Sequence, residues 1–344
     1  MDRVYLDHNA TSPLRAEARA AMAAAMDVVG NPSSVHAEGR AAKRLVEVAR
    51  RQIADALGAG EADIVFTSGA TEAAALALAG RDLSASGLEH EAVKAWCRTD
   101  LEVKDGQVIA PEPGSSCLQL ANSETGVIQT LPEGLAVSDA TQGFGRIPFS
   151  YAWSGVGMVF VSAHKFGGPK GVGALVIPRG HDLAAQLRGG GQEMGRRSGT
   201  ENILGIAGMG AAAEAAQRDL ASGAWDRVAQ IRNILEKAIA ADAPGTIFVG
   251  NTLARLPNTT CLIAPGWKGE TQVMAMDLAG FAVSAGSACS SGKVRSSGVL
   301  QALGYTAEDA GCALRVSLGP ETTEEEVLRF AEAWCARRRK LQAA

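Results

Sequence analysis

A glycine-rich segment with a lysine near its start follows the apolar residues 158–161: Ser162-Ala163-His164-Lys165-Phe166-Gly167-Gly168-Pro169-Lys170-Gly171-Val172-Gly173. The apolar run predicts a buried strand over 158–162, so Lys165 would stand at the end of a rigid element. Small neighbours let another molecule approach the backbone closely, as a lysine that forms a Schiff base with a carbonyl compound requires. Taken alone, the segment would be read more simply as a surface lysine in a glycine turn.

An aspartate lies at a second predicted strand end, earlier in the chain. Asp139 follows the apolar residues 135–137, in the stretch Ser138-Asp139-Ala140-Thr141-Gln142. A carboxylate at this place can pair with a pyridine nitrogen and keep it protonated, so that the ring of pyridoxal phosphate (PLP) acts as an electron sink. Gln142 is placed to reach the hydroxyl of the same ring. The alternative is an ordinary aspartate at a turn.

A third strand end has the composition of an anion site. The stretch Ser68-Gly69-Ala70-Thr71-Glu72 connects a predicted strand to a predicted helix. Backbone N–H groups at Ala70 and Thr71, with the Thr71 hydroxyl, would form a cup for a phosphate at the helix N-terminus. The alternative is a simple helix cap.

Three further side chains stand out by their chemistry and surroundings. His90, in Leu88-Glu89-His90-Glu91, could stack on a cofactor ring, although a lone histidine is more often structural. Cys289 lies among small residues in Gly286-Ser287-Ala288-Cys289-Ser290-Ser291-Gly292, which predicts an accessible thiol. Arg315 interrupts the apolar stretch Leu314-Arg315-Val316 and needs a partner, either a substrate carboxylate or an internal salt bridge.

The order of the predicted elements indicates an α/β architecture. Residues 38–57 have apolar side chains at helical spacing, and Gly58 supplies a stop. Buried strands are predicted at 64–67, 116–120, 135–139, 158–162 and 173–177, and a helical stretch at 201–240 with a break at Gly223. Beyond about residue 245 come strands at 246–249, 258–263, 282–285 and 313–318, a helix at 269–279, and a last helix with a capping box at Thr323 and Glu326. A large domain followed by a smaller α+β domain fits this order.

Composition argues against two classes of partner. The net charge is −4, and the cluster of cations at 337–340 ends a predicted helix, so a nucleic-acid surface is not expected. No stretch reaches the roughly 18 apolar residues of a membrane helix, and the N-terminus lacks the layout of a signal peptide. The six cysteines show neither metal-type pairing nor the density of a secreted scaffold. We therefore expect a cytoplasmic protein with free thiols and no metal site.

Together these segments resemble the class V PLP enzymes, and specifically the cysteine desulfurases of the iron–sulfur cluster and nitrogen-fixation type. The resemblance covers nearly the whole chain. Further landmarks in the order of that family are Tyr5-Leu6-Asp7-His8-Asn9-Ala10-Thr11, Gly30-Asn31-Pro32-Ser33-Ser34-Val35-His36, Arg197-Ser198-Gly199-Thr200 and Arg315-Val316-Ser317-Leu318-Gly319. No single landmark is decisive, but their number and order are highly specific.

The resemblance implies a fold of the aspartate-aminotransferase type, with a large, mainly parallel sheet domain at 14–225. Residues 1–13 would join 226–344 in a smaller α+β domain that carries Cys289. It also implies an L-cysteine substrate, a homodimer, and a sulfur-acceptor or cluster-scaffold protein as partner. By resemblance the catalytic residues are Lys165, Cys289 and His90. The residues that would bind PLP are Ala70, Thr71, Asp139, Gln142, Ser162, His164, Lys165, Ser123 and, from the neighbouring subunit, Thr200. The resemblance also implies that Asn31 and Arg315 bind the substrate carboxylate.

Two departures from the family pattern are visible. The chain has Asn122-Ser123-Glu124 where two asparagines are usual, so Ser123 would replace an asparagine that helps to hold the ring hydroxyl. The stretch 73–138 is shorter than usual, which predicts trimmed or missing helices. Alternative functions are a selenocysteine lyase, a class V aminotransferase, or a non-catalytic partner protein on the same fold. The joint presence of Lys165, Asp139, His90, Cys289 and Arg315 argues against a non-catalytic protein, and an aminotransferase would have no use for Cys289. The selenocysteine lyase stays open, because the same site would accept selenocysteine.

Overall fold

The computed structural model describes residues 3–286 and 296–343. The helices are α1 Ala16–Met26, α2 Ala37–Ala56, α3 Ala70–Leu78, α4 Glu91–Lys94, α5 Tyr151–Ser154, α6 Ile203–Ala221, α7 Ala224–Asp242, α8 Gly269–Leu278, α9 Gly298–Ala302, α10 Ala307–Ala310 and α11 Glu324–Gln342. The strands are β1 Val4–Tyr5, β2 Ala62–Thr67, β3 Ser84–Ser86, β4 Arg98–Leu101, β5 Val103–Lys104, β6 Gln107–Val108, β7 Cys117–Gln119, β8 Val137–Asp139, β9 Met158–Ser162, β10 Gly173–Pro178, β11 Ile247–Phe248, β12 Thr259–Ile263, β13 Phe281–Ala282, β14 Ser284–Ala285 and β15 Ala313–Ser317.

The main sheet has five strands in the order β2-β10-β9-β8-β7. Strands β7, β8 and β9 are parallel to one another, whereas β10 is antiparallel to both of its neighbours. Four of the five strands therefore run in one direction, which agrees with the predicted, mainly parallel sheet. The carboxyl ends of β8 and β9 meet at one edge, where ligands bind in sheets of this type.

Helices cover both faces of this sheet. Along β9, Val159 and Val161 join one apolar cluster and Met158 and Phe160 join another, as the alternation of side chains along a strand requires. The first cluster contains the buried stripes of α2 and α6, and the second contains the buried side of α3. The near-continuous apolar composition of β9 and β10 follows from burial on both faces.

Helix α2 forms where the sequence predicts it, because its apolar residues recur every three or four positions: Ala42, Val46, Ala49, Ile53 and Ala56 are all buried. It packs directly on α6. A Cβ at Gly210 of α6 would lie 2.8 Å from Cα of Ala49, so only glycine permits this close approach.

The C-terminal part of the chain forms a second, antiparallel sheet in the order β11-β12-β15-β14. Its apolar cluster collects residues from α7, α8 and α11, and it includes Val4 and Leu6 of the N-terminus. Strand β1 pairs in parallel with β13, so the N-terminal segment is attached to this part of the molecule. The domain boundaries at 13/14 and 225/226 stay a prediction.

The single strand predicted at 282–285 is two short strands in the structure. Phe281 and Ala282 pair with β1, whereas Ser284 and Ala285 pair with β15, so the chain changes partner at Val283. The capping box at Thr323 and Glu326 is present at the start of α11. Between Leu78 and Val137, all of which the structure describes, the one α-helix is the four-residue α4. That this stretch is trimmed relative to the family stays a prediction. Among the described residues, none of the helices could cross a membrane.

Candidate active site

Lys165 ends the short 3₁₀ turn Ala163–Lys165, which directly follows β9. Its Nζ donates hydrogen bonds to the carbonyl oxygens of Asn9, at 2.7 Å, and Ala10, at 2.9 Å. The N-terminal segment, which is anchored on the small sheet, therefore reaches across to the candidate catalytic lysine.

Asp139 ends β8, immediately beside β9, where it pairs in register with Phe160. Its Oδ1 accepts a hydrogen bond from the backbone N–H of Thr141 at 2.8 Å. Burial raises the pKa of this carboxyl, and the Thr141 hydrogen bonds and the positive charges of His90 and Lys165 oppose that rise. Asp139 and Lys165 therefore follow from two adjacent strands, β8 and β9.

The N-terminus of α3 lies against the end of β9. A Cβ built on Gly69, which precedes α3, would be 3.7 Å from the hydroxyl oxygen of Ser162. Strand β10 packs still closer, because a Cβ on Gly173 would lie 2.7 Å from Cα of Gly69. The N–H groups of Ala70 and Thr71 and the hydroxyl of Ser162 are thus grouped at one helix N-terminus, as an anion site requires.

His164 lies between Ser162 and Lys165, and its Nδ1 is 3.1 Å from Oγ1 of Thr11. Burial lowers the pKa of His164 to about 4, and the neighbouring positive charges of Lys165 and Lys170 act in the same direction. The imidazole is therefore neutral at neutral pH, and it interacts with an anion as a hydrogen-bond donor and not as a cation.

His90 caps the N-terminus of α4. Its Nδ1 accepts a hydrogen bond from the N–H of Ala92 at 3.1 Å, which leaves the proton of a neutral ring on Nε2. The side chain is exposed, and when the ring is protonated its positive charge lowers the pKa of both Asp139 and Glu124. The local fold thus accounts for the ring's tautomer.

Gln142 is bound within the protein in this structure. Its Nε2 donates to the carbonyl oxygen of Asn9 at 3.0 Å, and its Oε1 accepts from Arg146 Nη1 at 2.5 Å. The expected contact with the ring hydroxyl stays a prediction. The sequence analysis predicted no role for Arg146 or Asn9. Asn9 could have been found, because it lies in the landmark Tyr5–Thr11. Arg146 follows Gly145, and an arginine after a glycine is typical of a surface turn.

Arg315 forms the internal salt bridge that was the alternative to substrate binding. Its Nη2 donates to Asp7 Oδ1 at 2.8 Å, and its Nη1 donates to the carbonyl oxygen of Ser123 at 3.1 Å. The same Ser123 oxygen accepts from Asn9 Nδ2 at 3.1 Å. Nε of Arg315 is buried without a partner among the described residues. Ser123 thus contacts Arg315 through its backbone, and the proposed role of its hydroxyl stays a prediction.

Two further predicted residues, Asn31 and Thr200, are exposed. Asn31 is exposed in the turn before α2, where its Oδ1 accepts the N–H of Ser33 at 2.9 Å. Thr200 is exposed and lines a small cavity of about 70 Å³ with Ser68 and Arg197. Cys289 lies outside the described residues.

The clustered side chains fit PLP by the chemistry of their groups. A helix N-terminus with the hydroxyl of Ser162 and a neutral His164 suits the phosphate, and a buried carboxylate, Asp139, suits the pyridine nitrogen. An amine at the adjacent strand end, Lys165, suits the aldehyde. Among the described residues, no cluster of side chains could hold a metal ion.

Comparison with known proteins places this geometry in a family. Residues 4–98 and 100–330 match the aminotransferase class-V family. The chain belongs to this family. Members of the aminotransferase class-V family of this type depend on PLP, which confirms the predicted family and cofactor.

Individual relatives agree over almost the full length. A cysteine desulfurase from Cereibacter sphaeroides is 38% identical, over 96% of this chain and 95% of that protein. A cysteine desulfurase IscS from Dictyoglomus turgidum is 36% identical, over 94% of this chain and 91% of that protein. Among solved structures, a NifS-like protein from Rickettsia africae is 32% identical, with a TM-score of 0.88 over 96% of this chain and 98% of that one. The predicted fold class is confirmed.

Proposed function

We propose that this class-V enzyme is a PLP-dependent cysteine desulfurase. It converts L-cysteine to L-alanine and transfers the sulfur to its own Cys289. The observation that carries the proposal is the joint position of Asp139 and Lys165 at adjacent strand ends, beside the N-terminus of α3. The cysteine desulfurases to which the chain is similar support the choice of reaction.

When bound, PLP supplies an aldehyde for the substrate amine and an electron sink for the electrons at Cα. Lys165 would hold the cofactor through its amine, and the same amine, when free, would serve as a base for the Cα proton. Asp139 would keep the pyridine nitrogen protonated, because a carboxylate there stabilises the charged ring. Ser162, His164, Thr71 and the N–H of Ala70 would hold the phosphate.

Sulfur transfer needs a thiolate at Cys289. The balanced reaction is L-cysteine plus the Cys289 thiol giving L-alanine plus a Cys289 persulfide, with one C–S bond broken and one S–S bond formed. An ordinary thiol has a pKa of about 8.5 and is mostly protonated at neutral pH, so a base must accept its proton. We assign this role to His90, whose unprotonated nitrogen is Nδ1; the ring must turn away from the N–H of Ala92 before Nδ1 can accept the proton.

Substrate recognition involves Arg315 and Asn31. Arg315 has a buried Nε without a protein partner, so it retains a donor beside the pair that it makes with Asp7. A carboxylate from the substrate would compete with Asp7 for the guanidinium. Asn31 lies in an exposed turn in this structure, and the turn would have to move for Asn31 to bind this carboxylate.

The enzyme acts as a homodimer in this proposal, with Thr200 completing the phosphate site of the partner subunit. Exposed apolar side chains support a contact between two copies: Val29 and Val35, in the loop before α2, are 80% and 88% exposed, and Met194, near Thr200, is 66% exposed. Side chains of this kind lose contact with water at an interface, which is favourable.

The persulfide passes to a sulfur-acceptor or cluster-scaffold protein for iron–sulfur cluster assembly or the synthesis of other sulfur compounds. This step rests on the family resemblance and on the desulfurase IscS among the relatives. A cytoplasmic setting is part of the proposal. The five cysteines of the described chain are free thiols, in keeping with a reducing compartment.

The test uses the purified holoenzyme with L-cysteine and a thiol reductant, without any keto acid. The proposal expects alanine and sulfide in equal amounts over many turnovers. An aminotransferase would need the keto acid and would leave the sulfur in its product, and a non-catalytic protein would form neither alanine nor sulfide. Turnover of selenocysteine but not of cysteine would identify a selenocysteine lyase.

A further inference from the structure

Arg146 is an arginine buried in the centre of the site, with 2% of its surface exposed. Its Nη1 donates to Oδ1 of Asn9 at 2.8 Å and to Oε1 of Gln142 at 2.5 Å. Its Nη2 donates to the carbonyl oxygens of His8 and Lys165, both at 3.0 Å. One planar guanidinium therefore joins the N-terminal segment, the turn after β8 and the turn that carries the catalytic lysine.

Each of these acceptors is a neutral amide or carbonyl oxygen. A buried charge usually has a counter-ion, since desolvation alone is costly. Burial lowers the pKa of Arg146 to about 9, and the positive charge of Arg315 contributes in the same direction. Arg146 is thus a cation at neutral pH. Burying a cation without a counter-ion costs free energy, and this cost indicates a role beyond packing.

Asn9 brings this cation close to the amine of Lys165. Nζ of Lys165 donates to the carbonyl oxygen of Asn9, and Arg146 donates to the side-chain oxygen of the same residue. The field of Arg146 also reaches the residue next to the lysine, because it contributes to the lowered pKa of His164. Two cations held on one residue repel each other, and a lysine beside another cation loses its proton more easily.

We propose that Arg146 is a positioning residue of the desulfurase that fixes Lys165 through Asn9 and the Lys165 carbonyl, and whose charge disfavours the protonated Lys165 nitrogen. A nitrogen that is readily deprotonated can attack the cofactor aldehyde and accept the Cα proton. The inference rests on the proposed function, because it concerns the lysine that holds PLP.

Other charged and titratable groups lie on the elements around Lys165. They are Asp139 at the end of β8, His90 at the start of α4, His164 and Lys170 in its own segment, His8 and Asp7 in the N-terminal segment, and Arg315 on β15. None of these is changed in the Arg146 variants, so a shift in the titration of those variants can be assigned to Arg146.

The test follows the colour of the bound cofactor in the holoenzyme, without substrate, from mildly acidic to alkaline pH. The midpoint of the colour change reports protonation of the nitrogen that joins Lys165 to PLP. Arg146→Met should raise this midpoint by on the order of one pH unit or more, because a nearby positive charge is removed. Asn9→Asp should also raise it, because a new carboxylate compensates Arg146 while the backbone contact of Lys165 remains. Arg146→Lys should keep the midpoint near the wild-type value, with weaker PLP binding.

Arg338→Met is the matched control. Arg338 is a second buried arginine, 4% exposed, that lies over Trp334 in the small-domain core. Its loss should leave the midpoint unchanged. If Arg146→Met does not fold, Arg146→Gln, which also removes the charge, takes its place. The inference alone is overturned if the variant without the Arg146 charge keeps the wild-type midpoint while the wild type binds PLP and turns over cysteine normally. A wild type that binds no PLP would overturn the proposed function and this inference with it.

Discussion

The guanidinium of Arg315 is paired with a carboxylate of its own chain: Nη2 lies 2.8 Å from Oδ1 of Asp7. The two residues belong to β15 and to the segment that follows β1, and Asp7 is also held by the hydroxyl of Ser284 at 2.8 Å. This pair attaches the N-terminal segment to the small sheet. A substrate carboxylate that binds Arg315 must share this cation with Asp7 or displace it.

Arg315→Lys should therefore raise KM for L-cysteine by about tenfold or more with a smaller change in kcat, because a lysine cannot form two parallel hydrogen bonds to a carboxylate. Asp7→Asn should lower KM, since it removes the competitor. Initial rates of alanine formation over a range of cysteine concentrations measure both. If Arg315 is only structural, each variant lowers the midpoint of urea unfolding and leaves KM unchanged.

Lys165→Ala should abolish the colour of the bound cofactor and reduce alanine formation below detection, because no other amine of the described residues stands at this strand end. Lys170→Ala is the control, since Lys170 belongs to the same glycine-rich segment but is exposed. It should retain colour and activity. Absorbance spectra and alanine yields are compared on matched protein concentrations, and parental turnover by the Lys165→Ala protein would refute the assignment.

Much of the fold could be predicted, because local periodicity and burial determine it. The stripe of α2 and the apolar run of β9 lie where the sequence predicts them. The change of partner at Val283 could not be predicted, because a run of strand-forming residues does not reveal with which strands each half will pair. That choice depends on contacts with distant parts of the chain.

The site could be predicted in part for the same reason. Asp139 and Lys165 follow buried strands, so the geometry of a parallel sheet brings them together. The role of Arg146 could not be predicted, because its partners His8 and Asn9 are far away in sequence. The prediction for Gln142 rests on its position and on the family resemblance, and neither reveals that its Oε1 accepts a hydrogen bond from Arg146.

Subunits carrying different defects should restore activity when they are mixed, if Thr200 completes the site of the partner subunit. A Lys165→Ala subunit and a Thr200→Ala subunit together form one hybrid site in which both residues are intact. After unfolding and joint refolding, the mixture should exceed the activity of either parent. Mixtures that never do so, although sedimentation shows a dimer, would exclude completion across subunits.

The carboxyl of Glu124 should make stability depend on pH near neutrality. Burial raises its pKa to about 7, although a hydrogen bond from Ser297 and the charge of Arg315 oppose the rise. A carboxyl whose pKa is raised in the folded state stabilises the fold fully at acidic pH, and this contribution is lost as the pH rises through about 7. Glu124→Gln cannot ionise, so its stability relative to the wild type should improve between pH 5 and pH 8.

Urea unfolding at both pH values measures this difference, and replacement of the exposed Glu133 by glutamine is the control for loss of a surface carboxyl. A stability difference between Glu124→Gln and the wild type that is the same at pH 5 and pH 8 would contradict the account.

The desulfurase mechanism is tested most directly at Cys289. Cys97→Ser is the control. Cys97 is the partly exposed thiol of the described chain, and a hydrogen bond with Cys117 lowers its pKa. These properties make Cys97 the alternative nucleophile. Each holoenzyme is incubated with L-cysteine, and the cofactor spectrum, protein-bound persulfide and alanine are measured in the same tube. We expect Cys289→Ala to bind PLP and to change colour with cysteine, but to form neither persulfide nor alanine, whereas Cys97→Ser behaves like the wild type. A normal yield of alanine from the Cys289→Ala protein would contradict the mechanism.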